Sequence, residues 1–168
     1  MRKAVRVVGL LMVGLVVTPG LRSQDKSHAE LAKAVGEARV SLEQGLSTSA
    51  HEGKPISAKF EIEDRKLQLS VYTAKGDSFS EVVVDHTTGK ATKTEPITGG
   101  EDFTAAKAQS EAMSKAKRSL REALASALKG NPGFRAVSIF PALKDGHPVA
   151  EVSLAKGEEW KSVSEKLD

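Results

Sequence analysis

The chain contains no cysteine. That excludes disulfides, thiolate nucleophiles, Cys-ligated metals and a lipid attached through an N-terminal cysteine. Aromatic residues are scarce, 4% of 168, with one Trp and one Tyr. The core must therefore be built from Val, Leu, Ile and Ala, and little is left for stacking bases of a single-stranded nucleic acid. One apolar run is long, Val7–Val17, and it is too short to span a bilayer comfortably. There is no Gly-x-Ser-x-Gly elbow, no Gly-rich phosphate loop, and no helix with two histidines at zinc-protease spacing. A charge excess of one sign is also missing. The formal +3 depends on Arg2, Lys3, Arg6 and Arg22; taking those four from 25 basic residues leaves 21 against 22 acidic ones. The basic balance that would suggest nucleic acid is thus confined to the first 23 residues.

Those residues read as a signal peptide, Met1–Ser23. Basic residues precede the apolar run, and helix-breaking Thr18-Pro19-Gly20 follows it. Cleavage after Gly20 or Ser23 fits, with an uncleaved N-terminal anchor as the alternative; either way the remainder is expected to be exported, periplasmic or secreted, and after cleavage without stable membrane insertion.

Asp25–Gly45 has Leu31, Ala34, Val35, Ala38, Leu42 and Leu46 at three- and four-residue steps. This predicts one amphipathic helix, with Ser27 and Glu30 as its capping box. Ile56–Glu95 follows as a meander. Ala58, Phe60 and Ile62 alternate with Lys59, Glu61 and Glu63, and Leu67, Leu69 and Val71 with Gln68 and Ser70. Period-2 alternation means a sheet with one buried and one wet face. Phe79–Val84 is the third strand, and Ala91–Glu95 a short fourth that Pro96 would end. Thr104–Lys129 predicts a second, longer helix, stopped by Gly130-Asn131-Pro132-Gly133. Strands follow over Phe134–Leu143, Val149–Leu154 and Glu159–Glu165. Pro141 suggests that the first of these is an edge strand or carries a bulge.

Ala74-Lys75-Gly76-Asp77 recurs 81 positions later as Ala155-Lys156-Gly157-Glu158, with Phe79 falling on Trp160 and Val82 on Val163. Helix, hairpin and strand follow in the same order in both halves, which predicts an internal repeat. The expected organisation is a unit over Gln24–Pro96, a linker over Ile97–Phe103, and a second unit over Thr104–Asp168. The fold class is α+β: two tandem helix-plus-antiparallel-meander units, with the helices on one sheet face. Each half alone is marginal at about 70 residues, so the halves are expected to pack together.

No residue set amounts to an active site, and the expectation is a non-catalytic protein without cofactor or metal. His28, His51, His86 and His147 read as surface residues. His51 with Glu52, or His86 with Asp85, offers at most weak metal binding. Glu61, Glu63 and Asp64 read as the wet face of a strand. Lys115, Lys117, Arg118 and Arg121 read as a solvated helix face, with Arg118 and Glu122 as a four-residue ion pair.

The run Val82-Val83-Val84-Asp85-His86-Thr87-Thr88-Gly89-Lys90, with the helix and hairpin before it, resembles a PepSY domain. The resemblance covers Leu31–Glu95. It is weaker over Ala112–Asp168, where the terminal Asp…Thr-Gly motif is absent. It implies a helix packed on an antiparallel sheet in an exported bacterial protein, and Asp85, Thr88 and Gly89 as motif residues of structural type. Modules of that family occur in propeptides of secreted metalloproteases and in stand-alone exported proteins, and a role in restraining peptidases has been proposed for it. The expected function is accordingly a binding module for another exported protein, a peptidase being one candidate, with the open sheet edge of the second unit as the preferred surface. The alternative is a carrier of a small ligand or metal between the units.

Overall fold

The computed structural model describes residues 21–168, with side chains from Ser27 onward. The expected signal peptide lies outside the described residues except for Leu21–Ser23, which open a helix. The elements are α1 (Leu21–Glu37), α2 (Leu42–Ser49), β1 (Lys54–Glu63), β2 (Lys66–Lys75), β3 (Ser78–Val84), β4 (Ala91–Ile97), α3 (Gly100–Lys115), α4 (Leu120–Lys129), β5 (Arg135–Lys144), β6 (His147–Lys156) and β7 (Glu159–Lys166). The fold is α+β. Seven strands form one antiparallel sheet in the order β4-β3-β2-β1-β5-β6-β7, and the helices pack against it. Both expected units therefore contribute to a single sheet, joined where Ala58 pairs with Ile139 and Lys59 with Ser138.

Each predicted long helix is two helices. The breaks fall at Ser41 and Ser119, both N-caps with extended backbone. The Ser41 hydroxyl accepts from the Gln44 N–H at 3.2 Å, and the Gln44 side chain accepts from the Ser41 N–H at 2.8 Å. Ser119 and Glu122 repeat the arrangement at 3.2 and 2.7 Å. These capping boxes satisfy amide donors that a helix start leaves open. The apolar period runs through both breaks because the two helices of each pair bury residues in the same core, so spacing alone did not reveal the corner. Ser27 is not a helix start, since α1 runs through it.

One proline expectation changes and a second holds in part. Pro96 lies inside β4 instead of ending it; β4 is a sheet edge, where a missing N–H is tolerated. Pro141 lies in β5, which is an interior strand and not an edge, but which carries the other expected feature, a bulge, at Ala136/Ser138. The β1–β5 ladder pairs only Ala58 with Ile139 and Lys59 with Ser138, stopping two residues before Pro141, so the absent donor is not required. The expected linker is short, because β4 reaches Ile97 and α3 begins at Gly100.

The core is aliphatic, as the composition requires. Leu42, Leu46, Ile56, Leu69, Leu124, Ile139 and Leu154 are all buried, each contributing roughly 1.5–3 kcal/mol on leaving water. Helix α2 approaches β2 so closely that a Cβ on Gly45 would lie 2.8 Å from Leu69 Cδ2. The residues alternating with Leu69 and Phe60 form a polar network. Glu61 bonds Lys59 at 2.6 Å and the Ser70 hydroxyl at 3.0 Å, and Gln68 donates to Ser70 at 2.9 Å.

The long helices cross between halves. Phe103 of α3 meets Phe79 of β3 edge-on at 5.5 Å, and His28 of α1 stacks on Trp160 of β7 at 4.7 Å. Lys54 of β1 donates to the Met113 carbonyl near the end of α3 at 3.2 Å, and Arg135 of β5 donates to the Gly36 carbonyl near the end of α1 at 3.4 Å. A cation at a helix C-terminus meets unsatisfied carbonyls and the negative end of the dipole.

Candidate functional site

The motif turn between β3 and β4 is closed from within. One Asp85 carboxylate oxygen accepts from the Thr88 N–H at 2.6 Å, the Thr87 N–H at 2.9 Å and the Thr88 hydroxyl at 3.0 Å. The Thr88 N–H bond, then the other two, holds the Asp85 carboxyl below its ordinary value, because all three favour the charged form. The Gly89 N–H donates to the Asp85 carbonyl at 2.8 Å with Gly89 at φ +73°. That left-handed backbone explains a glycine there.

The same turn receives the corner between α1 and α2. The His86 carbonyl accepts from the Arg39 and Val40 N–H groups at 3.1 and 3.0 Å, and the Gly89 carbonyl accepts from the Thr48 hydroxyl at 2.9 Å. Asp85, Thr88 and Gly89 thus shape a turn whose carbonyls seat a helix pair. The docking role of His86 was not legible from the sequence, since it uses the main-chain oxygen. Leu167 does the same for the other helix pair, 81 positions on. Its carbonyl accepts from the Lys117 and Arg118 N–H groups at 2.7 and 3.0 Å, and its side chain is fully buried.

An open groove of about 870 Å³ lies beside the first turn, lined by Glu37, Asp64, Lys66, Asp85, His86 and Lys93 among others. Its charges are mixed, and among the described residues no group of three ligating side chains is placed to hold a metal. The four histidines are dispersed. His28 packs on Trp160, His51 is exposed after α2, His86 is half-buried in the motif turn, and His147 Nδ1 lies 3.0 Å from Asp168. The basic run is divided by the α3–α4 corner. Lys115 pairs with Glu111 at 3.6 Å, while the Glu122 carboxylate caps Ser119 instead of pairing with Arg118. Arg118 donates instead to the Glu122 carbonyl at 3.3 Å and the Lys166 carbonyl at 2.8 Å.

The two sheet edges differ. Strand β4 carries Pro96 and is shifted in register against β3. Strand β7 has no proline and pairs without a shift along β6 from Glu159 to Lys166. The Leu167 N–H donates to the Pro148 carbonyl at 3.0 Å, which sets the phase of the β6–β7 ladder. Backbone groups of Val163 and Lys161 point to β6, and those of Trp160, Ser162 and Ser164 point outward. Among the described residues no strand covers that outward row.

No described helix is long and apolar enough to cross a membrane. No family model matches the chain, and no curated protein matches it. Among solved structures, a candidate lipoprotein of Clostridium difficile 630 is similar at 11% identity and a TM-score of 0.41, over 71% of this chain and 79% of that one.

Proposed function

We propose that the chain is a non-catalytic, exported binding module made of two tandem PepSY-like units, which takes an extended segment of another exported protein onto the edge of β7. A peptidase is the partner class that the PepSY resemblance favours. One observation carries the reading: β7 stands in its half where β3 stands in the other, yet β3 is covered by β4 while, among the described residues, no strand lies beyond β7, whose outer side meets only Arg118 at the Lys166 carbonyl. The correspondence supports a tandem origin. Bulges lie at Pro55/Ser57 and at Ala136/Ser138, and Gly76 and Gly157 have φ of 60° and 59°. Phe79 under α3 corresponds to Trp160 under α1, so the place beside β7 is one that a strand fills without obstruction in the other half. The leader-like N-terminus supports export.

The test is capture from envelope extract with wild-type bait beside Ser162→Pro, which removes an outward N–H and inserts a ring into the edge. Wild-type bait should retain an exported protein that the variant loses, and a retained peptidase should be slowed by the wild-type chain alone. Equal capture by both baits, or by neither, would remove the edge from the proposal.

A further inference from the structure

We propose that the occupant of the β7 edge, in the absence of other partners, is β7 of a second copy, paired antiparallel about Val163. This rests on the reading of that edge as a docking surface. The strand Glu159-Trp160-Lys161-Ser162-Val163-Ser164-Glu165-Lys166 is self-complementary when reversed about Val163. Val163 then faces Val163, Ser162 faces Ser164, and Lys161 faces Glu165 twice, once on each side of the two-fold axis. A closed dimer requires one patch that complements itself, as this one does.

The backbone phase agrees with that register. Ser162 and Ser164 have the outward amides and carbonyls, so these two residues exchange the ladder bonds. Val163, Lys161 and Glu165 fall at the non-bonded positions, where opposed side chains approach most closely. Shifting the axis to Ser162 would set Lys161 against Val163; shifting it to Ser164 would set Glu165 against Val163. Both shifts break the charge pairs. Lys161, Ser162 and Ser164 are exposed, and Val163 and Glu165 half-buried. Glu165 already has Arg118 at 4.0 Å, so Lys161 of the second copy would complete a carboxylate between two cations. The opposite edge offers no such register, because Pro96 interrupts its donors.

The experiment is light-scattering mass and sedimentation velocity across a concentration series, using the full chain expressed with its own leader and purified after export. The wild type should approach twice the monomer mass and fall toward it on dilution or in high salt. Lys161→Glu and Glu165→Lys should each be monomeric, since each sets like charges opposite at both contacts. Mixed in equal amounts, the two variants should form a dimer, because the mixed pair restores both Lys–Glu contacts. Circular dichroism of each variant checks that it is folded. A wild type monomeric throughout, or a mixture that stays monomeric, overturns the proposal. If the monomer still captures an exported partner through β7, the proposed function stands and only the second copy is wrong. A charge-dependent dimer that captures nothing supports the second copy and removes the exported partner.

Discussion

At the scale of residues, the Asp85 turn shows how a short motif is explained by backbone chemistry. Gly89 at φ +73° has only Val40 Cγ2 near an added Cβ, at 3.6 Å, an ordinary contact. Gly89→Ala should therefore cost backbone strain alone, about 1 kcal/mol, read as a lowered denaturation midpoint at unchanged m-value. A midpoint equal to wild type would mean the turn relaxes freely. The Asp85 carboxylate makes its three bonds in the charged form, and its folded value lies below the ordinary 3.8. A depressed folded value contributes stability above the unfolded value and loses it as pH falls through the folded one. Asp85→Asn should thus be less stable than wild type at neutral pH, with the gap closing as pH drops below 3.8. Thermal melts of both proteins across that range decide it; a gap independent of pH would show that charge is not what Asp85 contributes.

At the scale of elements, the two helix pairs depend on their corners. Ser41 and Ser119 each accept an amide at the start of a helix of 8 or 10 residues, lengths that are marginal without capping and packing. Ser119→Ala should destabilise the protein by about 1 kcal/mol, as is usual for a lost serine cap, and Ser41→Ala by a similar amount. Substitution of the exposed Ser114, outside any cap, is the control. If chemical denaturation shows all three equal to wild type, the capping boxes are not holding the corners. The corners were readable as Ser-x-x-Gln and Ser-x-x-Glu. The uninterrupted apolar stripe outweighed them, because two helices packed on one core keep the same spacing as a single helix. Strand signals were clearer. Alternation at Ala58–Ile62 and Leu67–Val71 marks β1 and β2 directly, since successive strand residues point to opposite faces; the polar parity is not simply a wet face, because Ser57 and Ser70 are buried, Ser57 under Gln109 of α3.

At the scale of the whole molecule, the halves are interlocked. Lys54 binds the end of α3 and Arg135 the end of α1, Phe103 packs on β3 and His28 on β7, and the β1–β5 seam joins the sheet. Unfolding should be one cooperative transition with the same midpoint by far-ultraviolet dichroism and by Trp160 fluorescence. Residues 21–99 and 100–168 expressed separately should show no cooperative melt, because each loses the strand that caps its own long helix. A separate half that melts cooperatively would show the units to be independent.

The class of fold, the alternation of the strands, the turns at Gly76, Gly89 and Gly157, and the bonds of Asp85 to amides of its own turn were all legible in the chain. These follow from interactions within a few residues, which composition and spacing record. Long-range packing settled the rest: the two units share one sheet, α1 crosses to β7 and α3 to β3, and Pro141 sits in an interior strand. It also put the carbonyls of His86 and Leu167 where they seat the two helix corners. Every residue has a carbonyl, so a docking contact made by one leaves no mark in the side-chain pattern. Strand order depends on which halves meet in space, and two hairpins with the same alternation can join through either edge.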